Sequence, residues 1–292
     1  MQRIDFRDEI SRNKWKSFFL MISVVVVLIV FGYFISFAFD PGFFFIIMII
    51  SIIFSLSYTW FSFYNSHKIA VASVGAKLAS HTHHREFYSL VEGLTIASGL
   101  PMPKLYVMPS NQINAFASGR DPQNAVICVT EGALDKLDKR ELEGVLAHEL
   151  GHIANYDIRY ITLVTVMVGM IAIISQIFLR SLWFGGGRGG GKGKGIYIVI
   201  GIVLAILAPI VVRLVQLSIS RKREYAADAS AVKFTRYPHG LIGALNKIKG
   251  DVVQPEKKVS KAVAPLFFSN PFKGLTGTHP PIEERIKKLR SM

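Results

Sequence analysis

The sequence predicts a mostly α, α+β protein of the multi-pass membrane class, with four apolar helices and a water-facing domain that holds a small sheet. Three observations carry this. Hydrophobic residues make up 51% of the 292 positions, and the mean hydropathy is +0.37, too apolar for an ordinary soluble chain of this length. Four stretches hold the excess: Ser17–Phe39, Gly42–Tyr64, Tyr160–Leu179 and Ile196–Leu217. Each reaches or passes the ~20 residues a helix needs to cross a hydrocarbon core. Between and after them lie short β-branched runs and helical patterns of mixed polarity, which read as α+β.

These stretches divide the chain into four parts. Residues 1–66 form a two-helix membrane anchor. Residues 67–159 and 220–292 form two parts of one water-facing domain, and 160–219 holds the second helix pair. Ser17–Phe39 is too long for a signal-peptide core and lacks a small-residue cleavage site after it, so it stays as an anchor. Arg3, Arg7, Arg12, Lys14 and Lys16 precede it, whereas the Asp40-Pro41-Gly42 turn carries no Lys or Arg. The positive-inside rule then puts the N-terminus, and the stretch from His67 to Arg159, in the cytoplasm. Charge does not orient the second pair. Arg180, Arg188, Lys192 and Lys194 in its loop balance Arg159, Arg221, Lys222 and Arg223 outside it. Two full crossings and two shallow re-entrant helices both remain open. Arg213, inside the fourth stretch, either snorkels to the interface or faces a polar cavity.

The net charge of +14 is explained by Lys and Arg flanking membrane helices. Neither a zinc finger nor an aromatic–basic RNA-binding signature accompanies it, which excludes the nucleic-acid classes. A lone cysteine, Cys128, excludes an intramolecular disulfide framework and reads as a buried small residue. The glycine–basic run Gly185–Gly195 lacks a G-K-[ST] ending and a preceding strand, so it reads as a linker rather than a phosphate loop.

In the first water-facing part, Ala70–Ser98 reads as a connector and a helix over Arg85–Ala97. Lys104–Met108, Ile113–Ser118 and Ala125–Thr130 read as strands. Glu131–Leu137 begins a helix, and Asp138 caps the next with Glu141 three residues on, as in a capping box. In the second part, Ser220–Phe234, Leu241–Lys249 and Pro281–Arg290 read as helices, and Val253–Asn270 has no clear pattern.

The helix capped by Asp138 carries His148-Glu149-Leu150-Gly151-His152. Two histidines at i and i+4 share one face and can reach a single Zn²⁺, and the glutamate beside the first lies close enough to act on a water there. The polar residues Lys136–Glu143 make this helix amphipathic and water-facing rather than intramembrane. Downstream, Glu224 and Asp228 also stand at i and i+4. Glu224 can supply a third protein ligand and leave a fourth position open. Asp228 is placed to accept the second ring N–H of a ligating histidine, His148. Glu149 is then the proton acceptor and the catalytic base. His279, in Thr278-His279-Pro280-Pro281, is a candidate donor to a developing oxyanion, with Arg285 orienting it or the substrate; the same residues also read as a turn cap and a solvated helix residue. His81, His83 and His84 read as a solvated loop, with metal sensing as the alternative.

These residues resemble the HtpX branch of membrane zinc metalloproteases, related more distantly to the CAAX prenyl proteases. The similarity runs through the two N-terminal helices, Ile113–Ala117, His148–His152 with Asn155 following, Ser220–Asp228, and Thr278–Pro281 with Arg285-Ile286. It implies a gluzincin-like domain with one zinc per chain, bound by His148, His152 and Glu224, and Glu149 as the catalytic residue. Asp228, Asn155 and Arg285 would support the ligands. Asn114, Ala115 and Phe116 would lie on an edge strand that aligns a substrate backbone by strand addition. The resemblance further implies an endopeptidase of the bacterial cytoplasmic (inner) membrane, active in stress response and in quality control of misfolded or damaged membrane proteins. Its partners would be unfolded polypeptides and the bilayer, not nucleic acid. The glycine–basic loop departs from the family pattern. Two other classes compete. A zinc-binding scaffold without catalysis is disfavoured by the intact Glu149, and a transporter is disfavoured by the scarcity of intramembrane acids.

Overall fold

A computed structural model of the protein describes residues 6–36, 41–165, 201, 220–251, 266–268 and 280–292. The fourth apolar stretch apart from residue 201, most of the third, Arg213, the glycine–basic run and His279 lie outside the described residues. The chain opens with two long helices, α1 (Phe6–Ser36) and α2 (Phe44–Ser73). At 1.5 Å per residue each is about 45 Å long, more than the ~30 Å hydrocarbon thickness. Both are long and apolar enough to cross a membrane. They approach so closely that a Cβ on Gly32 would overlap Ser51.

The polarity of this hairpin is inverted relative to a soluble pair. Phe45, Ile49, Ile50, Ile53, Phe54 and Phe61 are exposed, whereas the buried residues of α2 are Ser55, Thr59, Ser62, Ser66, Ala70 and Val71. These recur one or two turns apart, so small and hydroxyl side chains line the inner face. Ser55 and Ser66 return their hydroxyl hydrogens to carbonyls three residues back. Such a stripe suits helices associating where lipid covers the outer faces. The last turns of α2 leave that regime: Ala70, Val71 and Val74 pack with Met108, Phe116, Val126 and Cys128 of the sheet.

The sheet has four strands, β1 (Lys77–Leu78), β2 (Lys104–Met108), β3 (Ala115–Gly119) and β4 (Ala125–Thr130), in the order β1-β2-β4-β3. β1 and β3 pair antiparallel with their neighbours, and β2 runs parallel to β4. β1 is absent from the sequence reading because its two exposed residues offer no alternation. Helix α3 (Arg85–Ser98) covers the sheet with Phe87, Leu90, Val91 and Leu94. It ends at Gly99, whose φ of 71° is a left-handed C-cap.

After the short α4 (Glu131–Lys136), α5 (Lys139–Ala154) begins at the predicted capping box: Asp138 accepts from the Arg140 and Glu141 N–H groups, and the Glu141 carboxylate accepts from the Asp138 N–H. The predicted amphipathic character extends only over its first turn. Gly144 through Ile153 are all buried, because α3, the sheet, α6 (Arg221–Thr235) and α7 (Pro238–Gly250) surround it. Two glycines permit this. A Cβ on Gly144 would stand 2.5 Å from the Leu241 nitrogen, and one on Gly151 would stand 3.1 Å from the Ala227 Cα. Past α5 the backbone turns through Asn155 and Tyr156, the latter at φ 57°, and helical residues 157–165 return beside α1. There Leu20 and Val24 pack with Tyr160, Leu163 and Val164. The terminal helix α8 (Ile282–Leu289) closes over α6 and α7.

Replacing Gly144 with valine is therefore expected to destabilise the domain by about 1–3 kcal/mol, read as a lower thermal unfolding midpoint in detergent. Gly93→Ala has the opposite sign. A Cβ there meets nothing within 4 Å on an exposed helical position, so the gain is about 0.5–1 kcal/mol.

Candidate metal centre

The centre is built where α5 crosses α6. His148 and His152, one turn apart, present both rings to the same side, with centroids 4.7 Å apart. Gly151, on the same turn, lets α6 come close enough for Glu224 to face them. The resulting donors are compact. His148 Nε2 lies 3.1 Å from His152 Nε2 and 3.8 Å from Glu224 Oε2, and His152 Nε2 lies 3.7 Å from Glu224 Oε1. The three are buried and fall within 4.8 Å of one another. A tetrahedral zinc with bonds near 2.0–2.1 Å needs donors about 3.3 Å apart, so the set fits such an ion with small adjustments.

The proton inventory supports the same conclusion. His148 Nδ1 lies 2.9 Å from Asp228 Oδ1, and His152 Nδ1 lies 3.0 Å from Asp157 Oδ2. An ionised carboxylate only accepts, so each imidazole carries its hydrogen on Nδ1 and turns its Nε2 lone pair inward. Two such lone pairs at 3.1 Å repel unless positive charge stands between them. Burial, with Arg285 beside it, pushes the His148 imidazole down to about 4, which keeps it neutral. Burial pulls His152 the same way, but the Asp157 hydrogen bond and the Glu224 carboxylate outweigh it and raise the ring to about 9. The cluster thus favours positive charge at its centre, which a proton on His152 supplies in the absence of a metal and which a bound metal ion would supply in its place.

Glu149 faces the same cleft. Burial raises its carboxyl to about 7, with Glu224 adding to the effect and the Ala117 N–H, which donates to it, opposing. A buried carboxylate of this kind holds or releases a proton near neutral pH. Asp228 is held by α8: Arg285 donates from Nε to Oδ2 at 2.9 Å and from Nη2 to Oδ1 at 2.6 Å, a two-pronged pairing. Against the raising effect of burial, Arg285 and His148 hold the Asp228 carboxyl well below the usual carboxylate range. The Arg285 guanidinium is buried and also stands 3.7 Å from Glu224 Oε2.

The cleft is walled by Ala117, Glu149, His152, Glu224, Phe267 and Phe268. The last two belong to the segment that lacked a sequence pattern, and in the structure Leu266–Phe268 is buried. The Phe268 N–H donates to the Ala115 carbonyl at 2.8 Å, on the edge of β3 that faces away from β4. Its ring meets His148 edge-on at 4.8 Å and lies 4.7 Å from the Arg285 guanidinium.

Other residues singled out in the sequence fall as follows. Asn114 is buried; its N–H donates to the Thr130 hydroxyl, and its Oδ1 accepts from the Ala115 N–H, which pins the start of β3. Phe116 packs its ring 5.3 Å from Phe267. Asn155 caps the end of α5. His81 is exposed and lies against Tyr88 at a tilt of 37°, and the half-buried His84 ring accepts from the Ser80 N–H. Asp157 is absent from the sequence reading, although an acid five residues after the second histidine was the available signal.

The model of Peptidase family M48 matches residues 81–292. The chain belongs to peptidase family M48. Relatives named Protease HtpX homolog extend the likeness to the membrane hairpin. That of Thermoanaerobacter pseudethanolicus is 40% identical over 290 residues, covering 97% of this chain and 96% of its own. That of Caldanaerobacter subterraneus subsp. tengcongensis is 42% identical over 290 residues, with the same coverage. The crystal structure of S. mikatae Ste24p is also similar, with a TM-score of 0.47 at 20% identity, covering 97% of this chain and 66% of that chain. As an M48 member of the HtpX type, the protein is a membrane-associated metalloprotease. The family implies a metal, and the donor set of His148, His152 and Glu224 suits one.

If Asp228 aligns His148, Asp228→Asn weakens zinc binding by about 10- to 100-fold, measured by competition against a chromophoric chelator. An unchanged affinity would leave Asp228 as a purely structural partner of Arg285.

Proposed function

We propose that this protein is a zinc-dependent endopeptidase of the bacterial inner membrane, spanning it several times, with its N-terminus and metal centre on the cytoplasmic side. Its substrates are misfolded or damaged membrane proteins, taken as unfolded polypeptide at the bilayer surface. The observation that carries this is the buried convergence of His148, His152 and Glu224 with Glu149 beside them. Arg3 and the basic first turns of α1, ahead of its apolar stretch, support the orientation. The exposed apolar faces of α1 and α2 support placement in lipid.

His148, His152 and Glu224 hold the zinc. When bound, it supplies Lewis acidity, polarising a scissile carbonyl and making water a nucleophile near neutral pH. The Glu149 carboxylate, aimed by the Ala117 N–H, accepts a proton from the attacking water and passes it to the leaving amide nitrogen. Asp228 and Arg285 keep the His148 Nε2 lone pair directed inward. An extended substrate chain adds to the outer edge of β3 as a further strand, its N–H replacing that of Phe268 on the Ala115 carbonyl. His279 is proposed as the donor that meets the oxyanion.

Purified in detergent, the wild-type chain is expected to bind about one zinc and cleave an unfolded substrate such as casein. Glu149→Gln should retain the zinc and lose cleavage by about 10²–10⁴-fold. Cleavage that persisted in this variant would remove the proteolytic assignment. A strong zinc chelator should abolish wild-type cleavage, and zinc should restore it; indifference to the chelator would count equally against the reading.

A further inference from the structure

Asn13 lies in the polar, basic first turns of α1, between Arg12 and Lys14, and it is buried. Its amide Nδ2 lies 2.8 Å from Asp157 Oδ1 and 3.1 Å from the Asn155 carbonyl. Both partners only accept, so the amide orientation is fixed and both of its hydrogens are used. The other oxygen of the same carboxylate, Asp157 Oδ2, accepts from His152 Nδ1 at 3.0 Å. The path from α1 to a metal-ligating nitrogen is therefore two hydrogen bonds and one imidazole ring, all buried.

We infer that Asn13 is a positioning residue for the metal centre: by holding Asp157 it fixes the ring of His152, so that docking of the first membrane helix sets the affinity of the site for zinc. This rests on the zinc reading above.

The surroundings show what Asn13 opposes. Arg223, next to the ligand Glu224, places its Nε 3.7 Å from Asp157 Oδ1, and among the described residues that Nε has no hydrogen-bond partner. Without the Asn13 amide, the carboxylate is free to turn toward this guanidinium, and His152 loses its acceptor. Neighbouring contacts hold α1 in place. Lys14 lies 4.5 Å from the ring centroid of Tyr156, the residue at φ 57° in the turn between His152 and Asp157. Farther along α1, Leu20 and Val24 pack with Tyr160, Leu163 and Val164. The two ligand histidines are thus governed from different places. His148 is aligned from α8 through Asp228 and Arg285, and His152 is aligned from α1 through Asp157 and Asn13.

The test uses the full chain in detergent micelles and reads zinc affinity by chelator competition, with thermal unfolding of the chelator-stripped protein as the measure of folding, since zinc itself adds stability in proportion to its affinity. Asn13→Leu is expected to weaken zinc binding by about 10- to 100-fold while the midpoint of the metal-free protein stays near wild type. Ser23→Ala, exposed on the same helix, should change neither. In a double-mutant cycle, Asn13→Leu added to Asp157→Asn should weaken binding no further, because both act on one ring. Additive losses, wild-type affinity in Asn13→Leu, or a loss matched by an equal fall in folding stability would each overturn the inference. The underlying reading fails separately: there the wild type binds no zinc, or His152→Ala binds it as tightly as the wild type.

Discussion

Two imidazoles whose Nδ1 hydrogens are both committed to buried carboxylates are the constraint on which the site depends. Asp228 and Asp157 leave His148 and His152 no freedom to present anything but Nε2 to each other. In water such an arrangement would relax by rotation or protonation. Here both rings are buried, with Asp228, Arg285 and Phe268 around His148 and Asp157 beside His152, and rotation would break a buried hydrogen bond. A positive charge between them relieves this, carried by a proton on His152 or by a metal ion shared with Glu224. Everything that shapes α5 and α6 serves this convergence: the capping box that starts one helix, and the glycine that lets the other approach.

The position of each acid determines what it can do. Glu224 and Asp228 stand one turn apart on α6, yet one faces the shared point and the other the back of a ring. Glu149 shares a turn with both histidines but points to the edge strand, where a backbone N–H meets it. Burial raises its carboxyl, whereas the Arg285 guanidinium lowers that of Asp228. Acids of the same chemistry thus acquire separate roles from their surroundings alone.

Much of this was legible in the sequence where function is written as local spacing. The i, i+4 histidines, the i, i+4 acids and the Asp138–Glu141 box depend on helical periodicity alone, and the structure forms the helices that bring them together. What was not legible depends on tertiary contact. The burial of Gly144–Ile153 follows from neighbours that no window of sequence contains. β1 is two residues long and owes its existence to β2. Leu266–Phe268 has no periodic pattern because it is ordered by the cleft it lines. Asn13 reads as one polar residue in an N-terminal arm, 144 positions from the aspartate it holds. The stripe of hydroxyl residues in α2 was present in the sequence too, but it gains meaning only once α1 is seen against it.

Under the proposed strand addition, the bond between the Phe268 N–H and the Ala115 carbonyl acquires a kinetic meaning. A peptide that extends the sheet along β3 competes with a segment already tethered to the same chain, and a tethered competitor acts at high effective concentration. Short or structured chains, offering few backbone groups at once, lose that contest. A long unfolded stretch can displace the resident segment one contact at a time, so the exposed length of a client becomes a threshold for its entry.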